Sequence, residues 1–283
     1  FSDIFEDLFG EITGRGRSRG QGAGRGSDLR YDLAITLKDA FGGKQEQIKV
    51  STSVTCERCT GAGAEPGSSP VTCASCRGAG RVRASQGFFT IERTCTQCQG
   101  RGQTISDPCH TCHGQGRVQK ERTLQVNIPP GVENGTRIRL SGEGEAGSRG
   151  GPPGDLYIFL ALHPHEIFER EGPHLHARVP VDLASAALGG EIEVPTLDGA
   201  RTKIKIPEGT QSGRRFRLRA KGMPVLHKQS QGDLVVEVFV ETPVNLNRKQ
   251  KDLLKQFAEA STEKTSPEAA GFFAKVKSLG GEP

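Results

Sequence analysis

Tryptophan is missing from these 283 residues, and there are only two tyrosines and one methionine. Apolar residues make up 34% of the chain, against 38 glycines and 16 prolines. Such a composition does not fill one large core; it suits short strands, many turns and small domains, and the length allows two or three of them. Long apolar runs are missing too. No stretch has the length of a transmembrane helix or the pattern of a secretory signal, so neither a membrane partner nor an oxidising compartment is expected, and the expected location is the cytoplasm. No acid–base pair or activated-nucleophile constellation stands out, which argues against an enzyme. Cysteine is absent everywhere except between Cys56 and Cys112.

What stands there is one motif repeated four times: Cys56-Glu-Arg-Cys59, Cys73-Ala-Ser-Cys76, Cys95-Thr-Gln-Cys98 and Cys109-His-Thr-Cys112, each followed by x-Gly-x-Gly. All eight cysteines of the chain are used. Structural zinc takes four thiolates in a closed tetrahedron, commonly from two short Cys-x-x-Cys turns, so eight cysteines supply two Zn²⁺ sites with none left over. The glycines suit a backbone folded tightly around sulfur, where φ > 0 is needed. A disulfide framework would need an oxidising compartment. A redox Cys-x-x-Cys usually stands singly at the start of a helix beside a strand. His110 and His113 flank the last knuckle, but with eight thiolates available they are read as surface residues.

The formal charge of +5 overstates the basicity. A Cys₄ zinc site carries four thiolates against one dication, and two such sites bring the net charge to about +1. That weakens a nucleic-acid reading, as does the segment from Gly10 to Gly26, rich in Gly and Arg but without interleaved aromatics. It reads as a flexible tether following a short apolar-acidic stretch, Phe1 to Phe9.

Order begins near Leu29. Leu29, Tyr31, Leu33, Ile35 and Leu37 alternate with polar or small residues, predicting a half-buried strand. A turn at Gly42-Gly43 leads to a second strand through Ile48 and Val50. Beyond the cysteines the chain repeats itself. Val126-Asn-Ile-Pro-Pro-Gly131 returns as Ile204-Lys-Ile-Pro-Glu-Gly209, Arg137-Ile-Arg-Leu140 as Arg215-Phe-Arg-Leu218, and Gly154-Asp-Leu156 as Gly232-Asp-Leu234, all at an offset of 78. Leu33-x-Ile-x-Leu37 returns as Val179-x-Val-x-Leu183 at an offset of 146. The excess of 68 is about what the cysteine region adds. The expected fold is mainly β: two tandem, internally repeated β-sandwich-like domains, an inserted zinc module in the first, and a short C-terminal helical segment. Asn247 can cap a helix whose Leu253, Leu254 and Phe257 share a face. Ser266-Pro267-Glu268 opens a second helical segment with Phe272, Phe273 and Val276. The apolar face of the first helix needs a cover, either its own domain or another copy of the chain.

Four Cys-x-x-Cys-x-Gly-x-Gly knuckles inserted in the first of two repeated β domains resemble the zinc-containing class of DnaJ co-chaperones, over nearly the whole chain. The stretches Ala187 to Gly199 and Gly232 to Pro243 look bacterial, and residues 1–26 resemble the tail of the family's Gly/Phe-rich linker. The family's J domain is not matched. The nearest string to its His-Pro-Asp loop, His163-Pro164-His165, has no helices around it. Since the first residue is Phe, a longer protein with a J domain is expected.

The resemblance implies an ATP-independent holdase that binds unfolded polypeptides and delivers them to a DnaK-type chaperone. It implies a client groove at Leu33, Ile48 and Val50, with Ile138 and Phe168 beside them. The uncovered face of the C-terminal helix is read separately as a homodimer contact through Leu253, Leu254 and Phe257. The domains expected are a linker at 1–26, a first β domain at 27–163 interrupted by a zinc module at 56–116, a second at 164–243, and a helical dimerisation segment at 244–283. Spacers of 13, 18 and 10 residues between successive knuckles suit an antiparallel hairpin with nested partners. Cys56, Cys59, Cys109 and Cys112 would then hold one zinc, and Cys73, Cys76, Cys95 and Cys98 the other; the resemblance points the same way. The alternatives from other classes are a zinc-dependent nucleic-acid-binding protein and a thiol–disulfide oxidoreductase.

Overall fold

The computed structural model describes residues 24–86 and 89–279; the apolar-acidic stretch and most of the Gly/Arg tether lie outside the described residues. The chain forms two compact units. The first runs to Pro173 and includes Gly222–Gly232, and the second comprises His174–Lys221 and the chain from Asp233 onward.

In the first unit, β1 (Leu29–Ile35) turns Leu29, Tyr31, Leu33 and Ile35 to one side, with burial complete only at Ile35. The alternation read from sequence continues to Leu37, but the strand does not. Leu37 opens helix α1 (Leu37–Gly42). A capping box decides this: the Thr36 hydroxyl accepts from the Asp39 N–H at 3.1 Å, and the Asp39 carboxylate accepts from the Thr36 N–H at 3.0 Å. Caps of this kind are worth about 1 kcal/mol, and burial of Leu37 and Ala40 adds to it.

Strand β2 (Lys44–Thr55) leads into the cysteine region, which carries β3 (Val71–Thr72), β4 (Arg81–Gln86), β5 (Phe89–Thr94) and β6 (Gln103–Thr104). The chain returns as β7 (Arg117–Ile128), antiparallel to β2 along its whole length, from Lys44 opposite Ile128 to Thr55 opposite Arg117. Twelve residues at about 3.4 Å each make this hairpin an arm about 40 Å long. Next come β8 (Arg137–Leu140), β9 (Leu156–Leu162) and β10 (Phe168–Glu171). Strand β9 lies between β1, to which it is parallel, and β8, to which it is antiparallel. Its Leu156, Ile158 and Leu160 are buried, each contributing about 1.5–3 kcal/mol.

The second unit repeats this plan. Its elements are β11 (His174–Asp182), α2 (Leu183–Leu188), β12 (Gly190–Pro195), β13 (Arg201–Ile206), β14 (Arg215–Leu218) and β15 (Leu234–Glu241). Strand β11 is parallel to β15, β14 is antiparallel to β15, and β12 pairs with β13. Asp182 caps α2, accepting from the Ser185 N–H at 2.9 Å, as Thr36 caps α1. The composition's shortage of core material is met by two small cores of Leu, Ile and Val. Two exposed helices follow, α3 (Arg248–Ala260), capped by Asn247, and α4 (Pro267–Leu279). Among the described residues no helix is long and apolar enough to cross a membrane.

The recurring Gly-Asp-Leu has a structural cause. Asp155, whose side chain is only 6% exposed, accepts from the Gly142 N–H at 2.8 Å and lies 2.7 Å from Arg25 and 2.8 Å from Arg139. Its counterpart Asp233 accepts from the Ala220 N–H at 2.9 Å and pairs with Arg217 at 2.5 Å. The Gly142 N–H, then the two arginines, hold the Asp155 carboxyl below the usual range; the Ala220 N–H and Arg217 do the same for Asp233. A carboxyl depressed by folding stabilises the protein above its unfolded pKa of about 3.9 and loses that contribution as pH falls through the folded value. Thermal melts should therefore be insensitive to these groups above about pH 5 and fall steeply below pH 4. In Asp155→Asn the low-pH fall should be shallower; an unchanged acid profile would show that Asp155 is not coupled to folding.

Candidate metal centres

Each knuckle closes the same way. The residue after the second cysteine is left-handed (Thr60, Arg77, Gln99 and His113, φ 48–51°), and so is the glycine that follows it. The second glycine of each knuckle donates its N–H back to the preceding cysteine sulfur: Gly63 to Cys59 at 3.3 Å, Gly80 to Cys76 at 3.2 Å, Gly102 to Cys98 at 3.2 Å and Gly116 to Cys112 at 3.1 Å. The two-glycine spacing is thus what turns an amide donor onto a thiolate.

The knuckles are brought together by a nested antiparallel hairpin. The ladder of β2 and β7 is continued by the Cys56 N–H donating to Gly116 at 2.9 Å. Beyond it β3 pairs with β6, then the Cys73 N–H donates to Gly102 at 3.0 Å. The Cys95 N–H donates to Gly80 at 2.9 Å, and β4 pairs with β5 at the end. This nesting places Cys56, Cys59, Cys109 and Cys112 in one buried group, proximal to the arm, and Cys73, Cys76, Cys95 and Cys98 in a second, distal one. Sulfurs lie 3.9 Å apart for Cys56–Cys109 and Cys73–Cys95, and 3.6 Å for Cys59–Cys112 and Cys76–Cys98. Four sulfurs about 2.3 Å from a central zinc sit about 3.8 Å from one another, whereas a disulfide needs about 2.05 Å. The donor sets therefore fit two Zn²⁺ ions, one per group. His110 and His113 are exposed and belong to neither.

Burial pushes the Cys76 thiol up to about 11. At Cys98 and Cys109 burial acts the same way but is outweighed by N–H donors, that of Gly102 at Cys98 and that of Cys112 at Cys109, which bring both to about 7. Bound zinc holds the sulfurs as thiolates and supplies structural cross-linking. Little else holds the module: apart from the cysteines, the partly buried apolar residue packed on the proximal group is Val118, and on the distal group Val82.

The other residues singled out from sequence are spread over the first unit and α3. Leu33 and Ile138 are half-buried on β1 and β8, opposite Leu160 and Ile158 of β9 respectively. Ile48 and Val50 of β2 are buried at 2% and 7% exposure, and Phe168 of β10 at 4%. A cleft of about 370 Å³ beside Phe168 is lined by Leu37, Leu162, Pro164 and Arg170 among others. Leu124, opposite Ile48 on β7 and half-buried, carries no sequence signal that separates it from core. On α3, Leu253 and Phe257 are 55% and 61% exposed.

The family model for the DnaJ C terminal domain matches residues 29–243, and that for the chaperone protein DnaJ C-terminal region matches residues 249–279. The chain belongs to the DnaJ family. It is 62% identical over 251 residues to a chaperone protein DnaJ of Chelativorans sp. (strain BNC1), an alignment covering 88% of this chain and 67% of that relative. It is 60% identical over 250 residues to those of Brucella canis and Brucella suis, covering 88% of this chain and 66% of each. The chain thus spans about two thirds of the length of these curated DnaJ relatives. The two Cys₄ groups are in keeping with a zinc-containing member of the DnaJ family.

Two measurements test the centres. A Cβ at Gly116 would lie 2.4 Å from the Gly61 carbonyl oxygen, at φ +73°. Gly116→Ala should therefore spoil the proximal group only, and metal analysis should fall from two zinc ions per chain to one. Chelation of both ions should speed amide exchange across residues 56–116 while the cooperative melt of the β cores persists. Loss of that melt on chelation would show that zinc holds the fold generally.

Proposed function

We propose that this chain is the client-binding, zinc-bearing part of a cytoplasmic DnaJ-type co-chaperone, without catalytic chemistry of its own. It binds extended apolar segments of unfolded polypeptides without ATP, limits their aggregation, and hands them to a DnaK-type chaperone. The observation that carries this reading is the edge position of β1. One side of its backbone pairs with β9, while the other faces no strand of its sheet among the described residues. Leu29, Tyr31 and Leu33 remain half-buried along the same strand. An edge with unpaired N–H and C=O groups beside apolar side chains accepts an extended peptide as an added strand. Main-chain hydrogen bonds supply affinity and shallow pockets a loose selectivity, which is what a binder of many sequences requires.

On this reading Leu33 and Ile138 offer apolar surface to the client, whereas buried Ile48, Val50 and Phe168 form the floor beneath it. Leu33→Asp and Ile138→Asp are therefore the informative substitutions, because these two side chains are only half-buried whereas the other three are buried. Each should weaken binding of an apolar peptide by about tenfold or more, since a carboxylate pressed against an apolar client loses hydration without a partner. Suppression of aggregation of a denatured protein, assayed without nucleotide, should fall in parallel. Undiminished binding by both variants, with unchanged circular dichroism, would remove β1 and β8 from the groove.

The same reading assigns α3 to a homodimer. Its Leu253, Leu254 and Phe257 are exposed in the single chain, as are Phe272, Phe273 and Val276 of α4. A second copy covering the first three would contribute on the order of 5 kcal/mol before ordering costs, at about 1.5–3 kcal/mol each. A chain ending at Pro243 should sediment as a monomer where the intact chain sediments as a dimer. Identical sedimentation of the two would sink the assignment.

A further inference from the structure

Residues 142–155, between β8 and β9, contain six glycines and enclose the extended segment 24–28 that leads into β1. Space taken by the other segment requires two of the glycines involved. A Cβ at Gly26 would stand 1.8 Å from the Glu145 carbonyl oxygen, and one at Gly154 2.1 Å from that of Ser27; one at Gly147 would meet the Gly151 carbonyl oxygen of its own turn at 2.4 Å and that of Gly24 at 2.6 Å. The segment is also hydrogen-bonded throughout. Gly24 and Ser148 exchange N–H···O bonds at 3.1 and 2.8 Å, the Gly26 N–H donates to Pro152 at 2.9 Å, and the Glu145 N–H donates to Ser27 at 3.0 Å. Arg25 reaches the buried Asp155 carboxylate, and the Asp155 N–H donates to Asp28 at 2.7 Å.

The other side of the same turn holds the zinc-bearing arm at the end where β2 and β7 open into the zinc module. Glu143 pairs with Arg122. The Gly144 carbonyl accepts from the buried Thr52 hydroxyl at 3.0 Å. The Ala146 N–H donates to Ser53 at 2.7 Å, and its carbonyl accepts from Arg117 at 3.1 Å. Further out, the Arg149 side chain donates to the carbonyl of Arg101 inside the zinc module. Consecutive residues of one turn therefore grip the strap on one side and both strands of the arm on the other.

We infer that this turn is a clasp coupling the strap at residues 24–28 to the zinc-bearing arm, so that release of the strap loosens the arm where it enters the zinc module. The matching turn of the second repeat supplies a control. There the Met223 N–H donates to Pro173 at 2.8 Å, and a Cβ at Gly232 would stand 1.9 Å from the Pro173 carbonyl oxygen, but no zinc arm leaves that repeat.

Amide hydrogen exchange on the zinc-loaded chain tests the coupling. In Gly26→Ala, exchange at position 26, Glu145 and Ser148 should quicken by at least about tenfold. The amides of Ala146, which bonds to Ser53 of the arm, and of Cys56, where the arm enters the zinc module, should quicken with them, while Leu160 in the core and the content of two zinc ions per chain stay as they were. Gly232→Ala should leave Ala146 and Cys56 unchanged. Should Gly26→Ala not fold, Arg25→Ala, at a side chain 52% exposed, gives the same readout without threatening the core. A freed strap with the Ala146 and Cys56 amides still protected would overturn the coupling, and a strap still protected in both variants would overturn the clasp itself.

Discussion

Register along one antiparallel hairpin governs the zinc-binding part of this molecule. The pairing of Lys44 to Thr55 with Ile128 to Arg117 runs without a bulge into the Cys56–Gly116 bond. From there the first and fourth knuckles face each other, and the shorter ladder of β3 and β6 carries the same alignment to the second and third. A slip of one residue would turn every side chain of the arm to the opposite face. It would also part Cys56 from Cys109 by a residue's rise, about 3.4 Å, which no tetrahedral site tolerates. Metal and ladder therefore specify each other: the ladder aligns the thiolates, and four thiolates on one ion forbid the neighbouring registers.

Glycine serves this protein in two physically different ways. In the knuckles Gly61, Gly78, Gly100 and Gly114 are left-handed, with φ between 83 and 88°, so the chain reverses around sulfur and aims an amide at it. Gly154, in the turn between β8 and β9, and Gly26, in the segment packed against that turn, do not have positive φ; they are glycines because another backbone passes where a Cβ would stand. The first use is local and can be read from a short motif. The second depends on residues more than a hundred positions away in sequence, so nothing around Gly154 announces that Ser27 lies against it.

That distinction explains what was legible in the sequence. The spacer lengths suggest a nested hairpin, and the sulfurs lie in the groups such nesting implies. The offsets of 78 and 146 reveal two copies of one plan, because each copy ends its turn with the same hydrogen-bonded aspartate, Asp155 or Asp233. Helix α1 was hidden because Leu33, Ile35 and Leu37 alternate as a strand does, and only the pair Thr36 and Asp39 shows that the chain turns after Ile35. The same feature recurs at Asp182, so the repeat carries its short helix with it. Alternation alone also does not separate groove from core: Leu33 and Ile48 look alike in sequence, yet one is half-buried on an edge strand and the other 2% exposed.

Two copies of one plan have been put to unequal use. In the second copy the hairpin of β12 and β13 is six residues long and closes on the turn at Asp198 and Gly199. In the first copy the equivalent hairpin is twice as long and opens into the zinc module. A long two-stranded ribbon is marginal in water without further support, and this one is supported where it opens into the zinc module. Zinc closes that module, and residues 143–146 fasten the adjoining end of the hairpin through Arg122, Thr52, Ser53 and Arg117. The equivalent turn in the second copy, Gly222–Gly232, keeps the glycine crowding against Pro173 but has no such arm to hold. The longer hairpin of the first copy is thus braced by the same glycine-rich turn that is crowded against the entering chain.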